Sequence, residues 1–66
     1  MVVTKYRLLL WRYGSGSQYL ELEAPSSTEA LSMIPNEYSI DRCVPFGKWD
    51  TYEWDGFERT TLDAIE

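Results

Sequence analysis

The chain has no histidine, one cysteine, and no apolar run longer than "LLLW" at residues 8–11. Each shortage excludes something. Without histidine, the commonest general base near neutral pH and the commonest metal ligand are missing. Cys43 alone cannot close an internal disulfide or build a cysteine-based zinc knuckle. It reads as a small half-buried hydrophobe, and one unpaired thiol fits a reducing interior better than secretion. "LLLW" is far too short to span a bilayer. The start "MVVTKYR" lacks the charged and long apolar regions of a signal peptide. The expectation is a cytoplasmic protein with no membrane contact, no metal and no cofactor.

Catalytic patterns are equally scarce. "GSGS" at 14–17 resembles a phosphate-binding loop in composition only, because the Lys-Ser/Thr ending is missing. Ser15, Ser17, Ser26 and Ser27 have no histidine to activate them. Glu21 with Glu23, and Glu53 with Glu58, form carboxylate pairs. Glycoside hydrolysis by such a pair needs a sugar-sized cleft, which so short a chain rarely encloses. These acids read as solvated faces, and the chain is not expected to be an enzyme.

What is present suffices for one small domain over 1–66. The 66 residues are 44% hydrophobic and 15% aromatic, enough for a compact core. Stability is marginal, because a domain of this size buries only about 60% of the surface its unfolded chain exposes. The net charge is −5, and it is unevenly placed. The first twenty residues hold Lys5, Arg7 and Arg12 and no acid. All eleven acids follow, against Arg42, Lys48 and Arg59. Such a split speaks to partners and solubility, not to fold.

Hydrophobic periodicity outlines the fold. "TKYRLLLWRY" (4–13) alternates, with Tyr6, Leu8 and Leu10 on one face. "QYLELEA" (18–24) places Leu20, Leu22 and Ala24 on one face and Tyr19, Glu21 and Glu23 on the other. Period two means strands. Pairing Tyr13 with Ser17 leaves a three-residue loop, Gly14-Ser15-Gly16, with Gly16 free to turn left-handed. That register sets Leu10 against Leu20, Leu8 against Leu22 and Arg7 against Glu23.

"APSSTEALSMIPN" (24–36) reads as a helix. Ser26 and Glu29 have capping-box spacing. Ala30, Leu31 and Ile34 fall at helical spacing to pack on the sheet. Pro35 stops the helix after about two turns. "EYSIDRCVPF" (37–46) reads as a third strand with Tyr38, Ile40 and Val44 on one side. Pro45 marks it as an edge or a strand end. "WDGF" (54–57) reads as a two-residue hairpin turn with positive φ at Asp55 and Gly56. One face of that hairpin would hold Tyr52, Trp54, Phe57 and Arg59. The other would set Glu53 opposite Glu58, a like-charge pair that weakens a ladder. "DAIE" (63–66) is expected to fray. The sum is an α+β fold of order ββαβββ: a small antiparallel sheet of four to five strands with one short helix packed on one face.

The surface of such a fold admits several uses. Glu21, Glu23, Asp50, Glu53, Asp55 and Glu58 could stand together, with Trp54 and Phe57 as anchoring contacts. Duplex DNA carries one charge per about 1.7 Å of axis. Alternate strand residues lie about 6.5–7 Å apart, with neighbouring strands filling in. A rigid acidic sheet can therefore approximate a row of phosphates and occupy a basic nucleic-acid-binding groove on a protein partner. The same acids could simply keep the domain soluble. A second use is a nucleic-acid-binding sheet built on Lys5, Arg7, Trp11 and Arg12. A third is assembly: three Trp, five Tyr and two Phe exceed what one short helix can cover, and a homodimer would hide the surplus.

In size, acidity and the strand–strand–"EAPSSTEAL"–strand plan, the whole chain resembles small acidic accessory proteins of bacteriophages, notably anti-CRISPR and anti-restriction inhibitors. The resemblance carries over no individual residue role. It implies a non-catalytic, phage-encoded inhibitor in the host bacterial cell. Its partner would be a CRISPR effector or nuclease, with no direct nucleic-acid contact.

Overall fold

The computed structural model describes residues 2–65. The fold is α+β. Strands β1 (Thr4–Arg12), β2 (Gly16–Ala24), β3 (Ser39–Pro45) and β4 (Glu58–Thr60) form one sheet in the order β3-β1-β2-β4. Helix α1 (Ser27–Ser32) follows β2, and a short α2 (Leu62–Ile65) follows β4. The β1–β2 and β1–β3 pairs are antiparallel, whereas β2–β4 is parallel, so the sheet is mixed.

The first hairpin forms where the alternation places it, in a shifted register. Arg12 pairs with Gly16, so the loop is Tyr13-Gly14-Ser15 rather than Gly14-Ser15-Gly16. Ser15 N–H donates to Arg12 O at 3.0 Å, and Gly14 takes φ +90°. Positive φ there is a glycine's role in a turn of this kind. The shift moves each partner by two residues, to Leu8–Leu20, Tyr6–Leu22 and Arg7–Glu21. Each strand's inward and outward sets survive because the slip is even.

Tyr6, Leu8, Leu10, Leu20, Leu22 and Ala24 line the core face, covered by Ala30, Ile34, Tyr38 and Ile65. Leu8, Leu10 and Leu20 are fully buried, each stabilising by about 1.5–3 kcal/mol. Helix α1 starts at Ser26, whose Oγ accepts the Glu29 N–H at 3.3 Å. It ends before Pro35 as expected. At six residues it depends on tertiary packing for survival. Leu31, expected in the core, is exposed.

Three further expectations are corrected. In β3 the register slips between Leu9 and Leu10 of β1, leaving Asp41 as the extra residue of a bulge. A bulge reverses the alternation, so Ile40 and Val44 lie on opposite faces. The second hairpin does not form. Residues Phe46–Thr51 make a 3₁₀ helix, and β4 pairs with β2. In the turn over 54–57, Phe57 N–H donates to Trp54 O and only Gly56 has positive φ, +91°. A two-residue hairpin of the expected type needs positive φ at both central residues. With Asp55 at negative φ the flanking segments diverge, so Glu53 does not oppose Glu58. Finally, "DAIE" does not fray over its described part. Residues 62–65 are helical and Ile65 is 4% exposed; Glu66 lies outside the described residues.

Ile65→Ala is expected to destabilise the protein by about 2 kcal/mol through the cavity it leaves. Urea unfolding checks this; an unchanged midpoint is the result expected of a frayed tail.

Candidate functional site

The face opposite the α1 core is organised by one cation. Arg7 stands on the central strand, flanked by Glu21 on β2 and Val44 on β3. Its Nη2 donates to Glu21 Oε1 at 2.7 Å. Its guanidinium carbon lies 4.1 Å from the ring centroid of Trp49, 4.8 Å from Tyr19 and 4.9 Å from Trp54. Three aromatic rings and one carboxylate thus enclose it. Each cation–π contact supplies about 0.5–2 kcal/mol, more as water is excluded. Arg7 Nε is buried without a hydrogen-bond partner in the protein. That omission costs about 1–3 kcal/mol, which the aromatic faces offset.

Two indoles close the cage by bonding back along the chain. Trp49 Nε1 donates to Val44 O at 2.8 Å, and Trp54 Nε1 donates to Trp49 O at 2.8 Å. Each ring is therefore tied to the carbonyl five residues before it. Thr51 Oγ1 also donates to Lys48 O at 2.6 Å, tightening the 3₁₀ segment. These bonds explain why "WDTYEW" abandons the strand its alternation predicts. As a strand it would send Trp49 and Trp54 to opposite faces. Folded back, both rings reach Arg7, and both indole N–H groups are satisfied as half-buried rings require.

The acids divide into two groups. Glu21 is drawn into the cage, and its second oxygen lies 3.6 Å from Arg59 Nη2. Glu23 shares a shallow pocket of about 230 Å³ with Lys5, Glu21, Leu22 and Arg59. This corner is mixed in charge, not acidic. By contrast Asp50, Glu53, Asp55 and Glu58 are all exposed, and none makes an ion pair among the described residues. Asp50, Glu53 and Asp55 belong to one connection, which runs across the Arg7 cage from β3 to β4, whereas Glu58 opens β4 and, paired with Gln18, lies on the opposite face with Leu10 and Leu20. Trp54 and Phe57 are half-buried. Trp54 packs edge-on against Tyr19 at 5.8 Å, so it anchors the connection from below. Tyr52 stays exposed, with Arg42 5.1 Å above its ring.

Lys5, Arg7, Trp11 and Arg12 are not brought together. Arg7 is caged. Arg12 alternates to the opposite face, where it lies 5.5 Å over Tyr38 and 3.6 Å from Glu37. Its charged form is favoured by the hydrogen bond to Tyr38 and by the Glu37 carboxylate. Of the aromatics, Tyr19, Trp49 and Trp54 are spent on the cage, while Trp11, Tyr13, Phe46 and Tyr52 remain exposed.

Cys43 is half-buried opposite Leu8, and burial pushes its thiol up, against thiolate formation. No group of three or more acids or cysteines among the described residues is placed to hold a metal ion. No helix among them is long and apolar enough to cross a membrane.

Sequence reading missed the cage. Alternation along 49–54 separates Trp49 from Trp54, and the expected register sets Arg7 against Glu23. One signal was available: an arginine in the most apolar strand, in a chain with more rings than its core face can cover.

Comparison with protein-family models, curated proteins and solved structures gives no match.

Arg7→Ala is expected to cost about 2–3 kcal/mol, because it removes three cation–π contacts and leaves half-buried Glu21 with only a distant partner. Arg7→Lys, which keeps the charge but lacks the planar fork, is expected to lose about 1–2 kcal/mol. Urea unfolding followed by tryptophan emission measures both. Equal stability of the lysine variant and the native protein would reduce the cage to a simple ion pair.

Proposed function

We propose that the protein is a non-catalytic binding module that offers its 50–58 connection to a cationic groove on a partner protein. One observation carries the reading. Asp50, Glu53 and Asp55 project, free of internal cations among the described residues, from a segment pinned by two indole-to-carbonyl bonds. Carboxylates on a mobile loop would lose conformational entropy on binding. Carboxylates on a pinned segment have lost most of it already. Removing Glu21, Glu23 and Glu58 from the candidate surface narrows it from a sheet face to this ridge.

In its finer form, the groove is the nucleic-acid-binding site of a bacterial defence complex, such as a CRISPR effector or nuclease, and occupancy inhibits it. Three features support this form: the acidity of the chain, its small size, and the resemblance in plan to phage-encoded inhibitors. A groove that accepts phosphates accepts clustered carboxylates by the same charge complementarity.

The test is capture from bacterial lysate on the immobilised protein, with elution by duplex DNA. The native bait is expected to retain a partner that DNA releases. A bait carrying Glu53→Lys and Asp55→Lys is expected to retain about tenfold less or lower, with an unchanged unfolding midpoint. Equal capture by both baits would sink the ridge as the contact. Retention that DNA cannot displace would sink the nucleic-acid-groove form.

A further inference from the structure

The molecule has a second place with the chemistry of the Arg7 cage, and it is open. Trp11 stands at the far end of the same face of β1, two alternations beyond Arg7, and is 46% exposed. Its cross-strand neighbours are Ser17 on β2 and Ser39 on β3. Both are too small to cover an indole. Tyr13 meets the ring edge-on at 6.4 Å and is itself exposed. Ile40, whose side chain packs on the α1-side core, and the bulge residue Asp41 border the same spot. Together Trp11, Ser17, Ser39, Ile40 and Asp41 line an open pocket of about 410 Å³.

An indole face, two hydroxyls and a carboxylate around an open volume suit a planar cation. The Arg7 site gives the template within this fold: a guanidinium on Trp49 with Glu21 at 2.7 Å. Among the described residues, no cation of this chain lies over Trp11. Arg12 faces the other side, and Arg42 lies over Tyr52. Arg42 touches Asp41 at 3.5 Å, an exposed pair of the weak surface kind, so Asp41 remains free to accept a second donor.

We infer that this pocket receives an arginine side chain of a protein partner, stacked on Trp11 and hydrogen-bonded by Asp41. Arginine is favoured over lysine because its plane stacks on indole and its fork matches a carboxylate. The pocket lies on the sheet face that carries the 50–58 connection, so one basic surface can engage both. The inference therefore rests on the reading that the partner is cationic, and adds what that partner must present.

The experiment is a titration of the isotopically labelled protein with a tetra-arginine peptide, followed by NMR. The three indole N–H resonances separate the sites, since those of Trp49 and Trp54 are bonded to backbone carbonyls. The Trp11 resonance is expected to shift, with the Trp49 and Trp54 resonances still. A tetra-lysine peptide is expected to bind about fivefold more weakly or worse at this site, and Asp41→Asn to weaken the arginine peptide by a similar factor. Shifts confined to the 50–58 amides, with Trp11 unmoved, would overturn the pocket and leave the ridge standing. A shift at Trp11 alone would support the pocket and count against the ridge. No shift at either would overturn both.

Discussion

A single guanidinium decides how the last third of this chain folds. Arg7 sits in the central strand, where an apolar residue would otherwise be expected, and cannot be left bare on a half-covered face. Glu21 neutralises it from the neighbouring strand. The remaining hemisphere is closed by Tyr19, Trp49 and Trp54. Two of those rings come from the connection between β3 and β4. The path of that connection follows from what the cation requires. Asp50, Glu53 and Asp55 inherit their positions from it.

The molecule is thus built from two unlike cores on one sheet. On one face, aliphatic side chains pack against α1 and α2 by ordinary burial. On the other, a charge is desolvated by aromatic rings and a partner acid. The first core tolerates volume-conserving exchange. The second depends on the geometry of a flat ion among flat rings and accepts fewer substitutes. Asp50, Glu53 and Asp55, proposed to meet a partner, belong to the segment over the second, where the backbone is most constrained by side-chain bonds.

Much of this was legible in the sequence, for local reasons. Alternation assigned Leu8, Leu10, Leu20 and Leu22 to one face. Ser26 marked the start of α1, and Pro35 lay just beyond its end. Pro45 marked an edge strand. The hairpin register missed by one residue on each strand because Gly14 and Gly16 can both take the conformation a three-residue loop needs. The bulge at Asp41 left no local trace. The last hairpin failed for a nonlocal reason: period two in "WDTYEW" is real, but it lost to contacts with a residue some forty positions away. Parallel pairing of β4 with β2 is invisible in the same way, since it joins segments separated by α1 and β3. Of the candidate site, the exposure of Asp50, Glu53, Asp55 and Glu58 could be read in advance. The capture of Glu21 by Arg7 and Arg59 could not, because it hangs on register.

The shape of β3 has a further consequence. It is an outer strand, and a bare outer strand invites another chain to add itself on. Here the extra residue at Asp41 twists the ladder, and Pro45 offers no N–H at the strand's end. A copy of the molecule arriving sideways at β3 finds a broken row of donors and acceptors, a poor template for a further strand.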